Sequence, residues 1–475
     1  MLSWKKLSRL KKEDIKKLQD KKLRYFLRHE IPYHPHYRKL FDKLKLKFDD
    51  IKSTDDLVKL PFSSKADIAP TKADSKRPRE FILQPDKELL KQYAPKSKLI
   101  KFLFNKELVY YEYKPIHMHV TTGRTALPTP FLYSGQDLER LKETGRRMFD
   151  VFGFSKEDRG VNAFPYAPHL AFWQTYYGSI ASETLSLPTG GGKIMGSEAI
   201  IKAIENLKAS ILISMPGYAY HLARKGAEEK KDFSNLKNIV FGGERVPAGL
   251  KDKLREVLAK TKCRNPKILS TYAFTEGKGA WAECDEGSGY HLYPDLEFIE
   301  VIDKNGDRVG EGEEGEVVYT ALDWRGTVVL RYKTGDISKI YYDKCSCGRT
   351  VPRLDSTIER SSEIKEFRFS KIKGTLVNLN RFFALMSGHK SIDEWQVEIK
   401  KKRNDPYGVD ELILYIAPRK KVDVAKLKME LKKIVREATE VTPDIIMMDK
   451  ARLLDRLGME TELKEKRIVD SRPKK

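Results

Sequence analysis

An α/β architecture with a smaller α+β unit at its C-terminal end is predicted by three features of the sequence. Between about 160 and 300, short β-rich runs alternate with helical segments, the pattern of a largely parallel sheet covered by helices. These runs are Gly160-Val-Asn-Ala-Phe, Ser210-Ile-Leu-Ile-Ser, Asn238-Ile-Val-Phe-Gly-Gly and Lys267-Ile-Leu-Ser-Thr-Tyr, with helices over 197–208 and 248–260 among the intervening stretches. From 296 to 342, Phe298-Ile-Glu-Val-Ile, Gly315-Glu-Val-Val-Tyr-Thr and Thr327-Val-Val-Leu-Arg-Tyr are joined by glycine-rich turns, as in antiparallel β structure. Beyond about 362, strand-like Trp395-Gln-Val-Glu-Ile and Glu411-Leu-Ile-Leu-Tyr-Ile precede an amphipathic helix over 423–438.

The elements before residue 160 follow in order. Trp4, Leu7, Leu10, Ile15 and Leu18 recur at helical spacing, and a second apolar set ends at the breaker Ile31-Pro-Tyr-His-Pro. Leu57-Val-Lys-Leu-Pro-Phe-Ser-Ser-Lys closes a helical turn at a proline. Residues 70–115 are polar and lysine-rich and read as an insertion. The stretch His119-Val-Thr-Thr-Gly-Arg-Thr-Ala-Leu-Pro-Thr-Pro130 is a hydroxyl- and glycine-rich loop whose N–H groups and hydroxyls suit phosphate oxygens, with Arg124 able to add a charge-assisted bond. Ser134 caps a helix whose Leu138, Leu141, Gly145 and Met148 share a face.

The chain has 475 residues, 40% of them hydrophobic and 10% aromatic, enough for buried cores in about three domains of ordinary size. No apolar run approaches the roughly 20 residues that span a bilayer, and no apolar segment follows the first lysines, so a cytoplasmic protein without a secretory signal is expected. A net charge of +23 favours polyanionic partners such as nucleic acid, anionic membrane or phosphorylated cofactors. The lysines are dispersed, without a nucleic-acid-binding signature, so nucleic acid is a weaker expectation than phosphorylated cofactors. A homodimer is compatible with the sequence.

Three further motifs sit at strand ends, where α/β sheets bind ligands. Phe241-Gly-Gly-Glu-Arg allows close backbone approach to a flat ligand. Thr271-Tyr-Ala-Phe-Thr-Glu276 sets an aromatic, a hydroxyl and a carboxylate together, and Arg331-Tyr-Lys-Thr-Gly-Asp336 offers a carboxylate suited to a ribose diol. Singly, each reads equally as a strand-end turn, a capped helix start or a β-turn. Four cysteines are too few for a disulfide scaffold. Cys284-x6-His291 and Cys345-x-Cys347, however, supply three thiolates and an imidazole, a set suited to tetrahedral zinc. With all four positions filled by protein, such a zinc is structural; Cys263 stands outside the set.

In their order, the Thr/Gly loop, Gly-Gly-Glu, Tyr-x-x-Thr-Glu, Thr-Gly-Asp, Arg360 and a C-terminal lysine resemble the adenylate-forming superfamily, and within it the phenylacetate–CoA ligase family. Tyr37-Arg-Lys-Leu-Phe, Leu60-Pro-Phe-Ser-Ser-Lys, the stretch from Thr121 to Asp137, Cys345-Ser-Cys-Gly-Arg-Thr, Arg360-Ser-Ser-Glu and Leu463-Lys-Glu-Lys-Arg-Ile-Val-Asp470 are similar to that family's motifs along nearly the whole chain, apart from about 70–115. Some members of the resembled family carry a zinc at the matching positions.

The resemblance implies an N-terminal ATP- and acyl-binding domain over 1–360, with parallel sheets and a small β-barrel-like part, and a mobile C-terminal lid over 361–475. It implies ATP-dependent, AMP-forming activation of an aryl or other hydrophobic acid, then transfer to a thiol, usually CoA. Thr121, Thr122, Gly123, Arg124 and Thr125 would hold the phosphates, and Glu276 a magnesium ion. Gly242, Gly243, Glu244, Tyr272 and Phe274 would line the adenine slot, with Ala273 and Thr275 in the same segment. Asp336 would take the ribose hydroxyls, Arg360 the ribose or phosphate, and Lys464 would bridge carboxylate and α-phosphate. The aromatics of 166–177 and Met215-Pro-Gly-Tyr218 would wall the acyl pocket, with His169 orienting the carboxylate. The chain departs from the family at Arg124, Ala126 and Leu127, where the loop lysine is lost, and at Ser362-Glu363, where the family has an acidic pair. The altered loop motivates a second reading, a catalytically weak nucleotide-binding protein whose basic surface holds nucleic acid or an acidic partner.

Overall fold

The computed structural model describes residues 2–71, 73–121, 129–243, 246, 249–360, 369–372, 375–378, 382, 385–386, 389–401, 410–419, 421–439, 441–459 and 465–472. The chain packs into two compact units, one of 1–158, 167–186 and 269–360, the other of 159–166, 187–268 and 361–475. One boundary falls between Arg360 and Ser361, but the second unit also takes in 159–166 and 187–268.

In the first unit the 70–115 stretch forms short helices Lys87–Tyr93, Lys96–Phe104 and Glu107–Tyr113 before the hairpin Pro115–Val120/Pro130–Ser134. Ser134 then caps the helix Gly135–Phe152 as its sequence predicts: the Asp137 N–H donates to the Ser134 hydroxyl, and the Ser134 N–H donates to the Asp137 carboxylate. On that helix Arg147 is buried, reaches Asp295 with both terminal nitrogens at 2.6 and 2.9 Å, and lies 5.1 Å from the Trp4 ring. The N-terminal tryptophan is thereby fixed against the body of the unit. The expected barrel-like part is an open antiparallel sheet of Glu297–Ile302, Gly315–Ala321, Tyr332–Ser338 and Glu359–Arg360; among the described residues it does not close.

Glu297 of that sheet is buried and accepts hydrogen bonds from the Trp281 indole N–H and, at 2.8 Å, the Tyr293 N–H. Burial pushes its carboxyl up to about 8, above its ordinary value of 4.5. The folded state therefore binds the extra proton between these values, so this group's contribution to stability is full below 4.5 and lost as pH rises through 8. Denaturant midpoints measured from pH 5 to 9 should fall for the native chain and flatten in Glu297→Gln; an unchanged slope in the variant would remove Glu297 as the cause.

In the second unit the strands Arg159–Asn162, Ile211–Ser214 and Asn238–Phe241 run parallel, with Ile211–Ser214 in the middle. Helices Ser197–Asn206, Pro216–Glu228 and Leu250–Ala259 accompany them. Its C-terminal part is a four-stranded sheet with Ile392–Lys401 and Asp410–Pro418 at the centre. Both faces of the strand Asp410–Pro418 are covered, which explains why Leu412-Ile-Leu-Tyr-Ile416 is apolar throughout. Leu412, Leu414 and Ile416 face the helix Val424–Thr439, while Ile413 and Tyr415 pack with Leu453 on the other side.

Candidate functional site

The strand Tyr332–Ser338 brings two of the expected ligand-binding carboxylates together in the first unit. Tyr272 donates its hydroxyl to Asp336 Oδ2 at 2.7 Å, and Tyr332 donates its hydroxyl to Glu276 Oε1 at 2.9 Å. Residues 332 and 336 lie on either side of a slip in the strand's pairing, with Lys333 opposite Val318 and Ile337 opposite Glu316. Gly335 takes the left-handed φ of +75° beside a register shift in the pairing with Gly315–Ala321, which gives the Thr-Gly-Asp turn its shape. Arg360 lies directly opposite Asp336 in the neighbouring strand. Ala273 and Phe274 end the strand Lys267–Phe274, and Thr275 and Glu276 form the single helical turn that follows.

Behind that turn, Lys278 is fully buried and donates from Nζ to Asp137 Oδ2 at 3.0 Å. Asp137 also accepts from the N–H groups of Ser134, Arg325 and Gly326, at 3.1, 2.7 and 2.6 Å. Burial lowers the lysine's proton affinity and the Asp137 charge opposes that. Tyr332 and the Lys278–Asp137 pair were not expected from the sequence. The left-handed Gly335 and the pairing slip between 333 and 337 break the strand period that would relate Tyr332 to Asp336, and no local pattern links 137 with 278.

The ends of the Thr/Gly loop are pinned. Thr121 N–H donates to the Thr129 carbonyl at 3.1 Å and Val120 N–H to the Pro168 carbonyl at 2.9 Å. Under them, His119 is buried with Nδ1 2.9 Å from the Tyr133 hydroxyl and Nε2 2.9 Å from His117 Nε2. Burial pushes His119 down to about 3 and also lowers His117, so both imidazoles are neutral near pH 7. His169 spends Nδ1 on the Val120 carbonyl at 3.0 Å, and Trp173 stands edge-on to His117 with ring centres 5.1 Å apart. Thr122, Gly123, Arg124, Thr125, Glu244 and Lys464 lie outside the described residues.

In the second unit, Gly242 and Gly243 follow the strand Asn238–Phe241, and Gly243 has a φ of +78° with Met215 and Phe164 nearest its α-carbon's open side. Tyr218 of the expected acyl wall is hydrogen-bonded to Ser197 at 2.9 Å. The C-terminal segment beyond Lys464 is tied by Arg467, which bonds Glu465 at 2.8 Å and buried Glu394 at 2.7 Å; Arg224 meets Glu394 at 3.1 Å.

Cys284, His291, Cys345 and Cys347 converge in the first unit, with one ligand atom from each all within 4.8 Å of one another. Cys284 Sγ is 3.5 Å from Cys345 Sγ, too far for a disulfide, and Cys347 Sγ is 3.7 Å from His291 Nε2. Tetrahedral zinc with its usual bond lengths sets such ligand atoms about 3.5–3.8 Å apart, so the donor set fits that ion. Hydrogen bonds from Cys284 and His291 hold the Cys347 thiol far below its ordinary range, which favours a thiolate. A Cys-x-Cys-Gly turn shapes the later pair: Gly348 N–H donates to the Cys345 carbonyl at 2.8 Å with a φ of +82°.

The model of the AMP-binding enzyme family matches residues 133–321. Phenylacetate-coenzyme A ligase of Thermus thermophilus is 24% identical over 403 residues, covering 83% of this chain and 80% of that protein. The enzyme of the same name from Aromatoleum evansii is 23% identical over 480 residues, covering 98% and 97%. Among solved structures, 2-hydroxyisobutyryl-CoA ligase in the postadenylation state with 2-HIB-AMP shares the fold with a TM-score of 0.75 at 21% identity, over 98% of this chain and 92% of that one.

Proposed function

The chain belongs to the adenylate-forming superfamily of AMP-binding enzymes, in its phenylacetate–CoA ligase family, and from that premise we propose that it activates a hydrophobic, aryl-type carboxylic acid with ATP and passes the acyl group to CoA. In the first step a carboxylate oxygen of the acid bonds to the α-phosphorus and pyrophosphate leaves. In the second, the thiol sulfur bonds to the acyl carbon, AMP leaves, and the thiol proton goes to solvent. The observation that carries the reading is the Tyr332–Ser338 strand, which sets Asp336 against Tyr272 and Tyr332 against Glu276.

Each residue has a distinct task. Asp336 accepts the ribose hydroxyls, oriented by the Tyr272 hydroxyl, which also presents its ring to the adenine. Glu276 would hold a magnesium ion that neutralises phosphate charge, with Tyr332 fixing one carboxylate oxygen. The glycines at 242 and 243 admit the flat base, and residues 121–125 supply phosphate donors. Lys464 bridges the acid and the α-phosphate, and 361–475 acts as the lid that moves it between half-reactions. The four-ligand cluster would hold a structural zinc and lies outside the reaction.

The test is ATP–pyrophosphate exchange with a panel of aryl and fatty acids. Exchange is expected with a hydrophobic acid, and Asp336→Ala or Lys464→Ala should lower it. For Lys464 the loss is about 3–4 kcal/mol of transition-state stabilisation, by analogy with loss of one oxyanion donor. Tight RNA binding with no exchange from any acid would replace this reading with the nucleotide-binding one.

A further inference from the structure

Residues 96–118 bury Phe102 and Tyr113 but also turn a set of large apolar side chains to solvent. On the helix Lys96–Phe104, the positions 100, 103 and 104 form one stripe, and it is apolar and turned to solvent. Leu103 is 79% exposed and Phe104 88%. The next helix, Glu107–Tyr113, packs against the first and exposes Tyr110. The strand Pro115–Val120 does the same, with Ile116 and Met118 outward while His119 is buried. Charge is spent on the inner side. Lys98 Nζ meets Glu30 at 2.9 Å and Glu112 at 2.7 Å, Tyr113 donates to Glu30 at 2.8 Å, and Arg325 bonds Glu112 at 2.8 Å. This buried ionic network anchors the helices with the apolar stripe facing away from the core.

A stripe of large apolar side chains held outward marks a docking surface rather than ordinary surface composition. The residues around it name the partner. Lys96, Lys101 and Lys106 are exposed and have no acidic partner among the described residues, and the whole chain carries +23. Apolar and aromatic tips ringed by unpaired lysines match the two layers of an anionic bilayer surface, acyl chains below and charged headgroups above. A second copy of the same face would set these lysines against one another. A nucleic acid would leave the apolar stripe uncovered.

We propose that residues 96–118 dock this protein on an anionic lipid surface, with Leu103 and Phe104 entering the acyl region and Lys96, Lys101 and Lys106 at headgroup level. The proposal stands whichever acid is activated. Sedimentation of the full chain with vesicles tests it. Vesicles of phosphatidylcholine containing phosphatidylglycerol should bind roughly a hundredfold more tightly than phosphatidylcholine alone, from three lysines near a charged surface, and added salt should weaken that binding. The double substitution Leu103→Ser/Phe104→Ser should weaken it at least about a hundredfold, while thermal midpoint and pyrophosphate exchange in solution stay unchanged. Native protein left in the supernatant with both vesicle types overturns the proposal, as does binding that the double substitution leaves intact. A dimer of the native chain that the substitutions split, without vesicle binding, would assign the face to a second copy instead.

Discussion

Cys345→Ser should release one zinc ion per chain and unfold the knuckle around it. A structural zinc site contributes on the order of 10 kcal/mol, which rivals the net stability of a whole domain. The consequence is not confined to the loop. Thr350, a few residues on, donates its N–H to the Ser8 carbonyl at 2.8 Å and its hydroxyl to the Leu10 carbonyl at 2.6 Å, and Arg349 bonds Asp150 at 2.6 Å. Loss of the ion should therefore loosen the N-terminal segment and the end of the helix Gly135–Phe152 together. Metal analysis of the purified protein and thermal unfolding with and without a chelator check this. One zinc per chain, absent from the variant, with a large drop in midpoint is expected; a native chain that is metal-free and fully folded would refute it.

Asp137→Ala should cost about 3–5 kcal/mol, because it leaves the fully buried Lys278 ammonium without its carboxylate partner. It also removes the acceptor of the Arg325 and Gly326 N–H groups and half of the capping box. Lys278→Met should cost less, since Asp137 keeps its three backbone donors, and the double variant should fall short of the sum of the two losses. Urea unfolding of the four proteins gives the cycle. A loss below about 1 kcal/mol in Asp137→Ala would mean the pair is not a structural hub. The pair also ties the segment just after the turn bearing Glu276 to the first turn of the helix Gly135–Phe152, so pyrophosphate exchange should fall with stability.

Local patterns explain most of what could be read from the sequence. Ser134 announced a helix start because capping acts within one turn of chain, and the runs at 210–214 and 238–243 announced strands by their apolar continuity. Donor chemistry picked out Cys284, His291, Cys345 and Cys347 because three thiols and an imidazole are rare enough in this chain to suggest one ion. The order of the nucleotide motifs likewise needed no coordinates. Only the tertiary structure decided which side chains meet. It closed the 61-residue gap between Cys284 and Cys345, paired Asp137 with Lys278 and set Tyr332 on Glu276. The 70–115 stretch looked polar and insertion-like, yet the fold turned Lys98 and Glu112 inward onto Glu30 and Arg325 and left Leu103 and Phe104 outside. The physical reason is range: periodicity and capping act within a turn or two of chain, whereas ion pairs, metal ligands and the choice of buried face depend on partners the chain brings together only when folded.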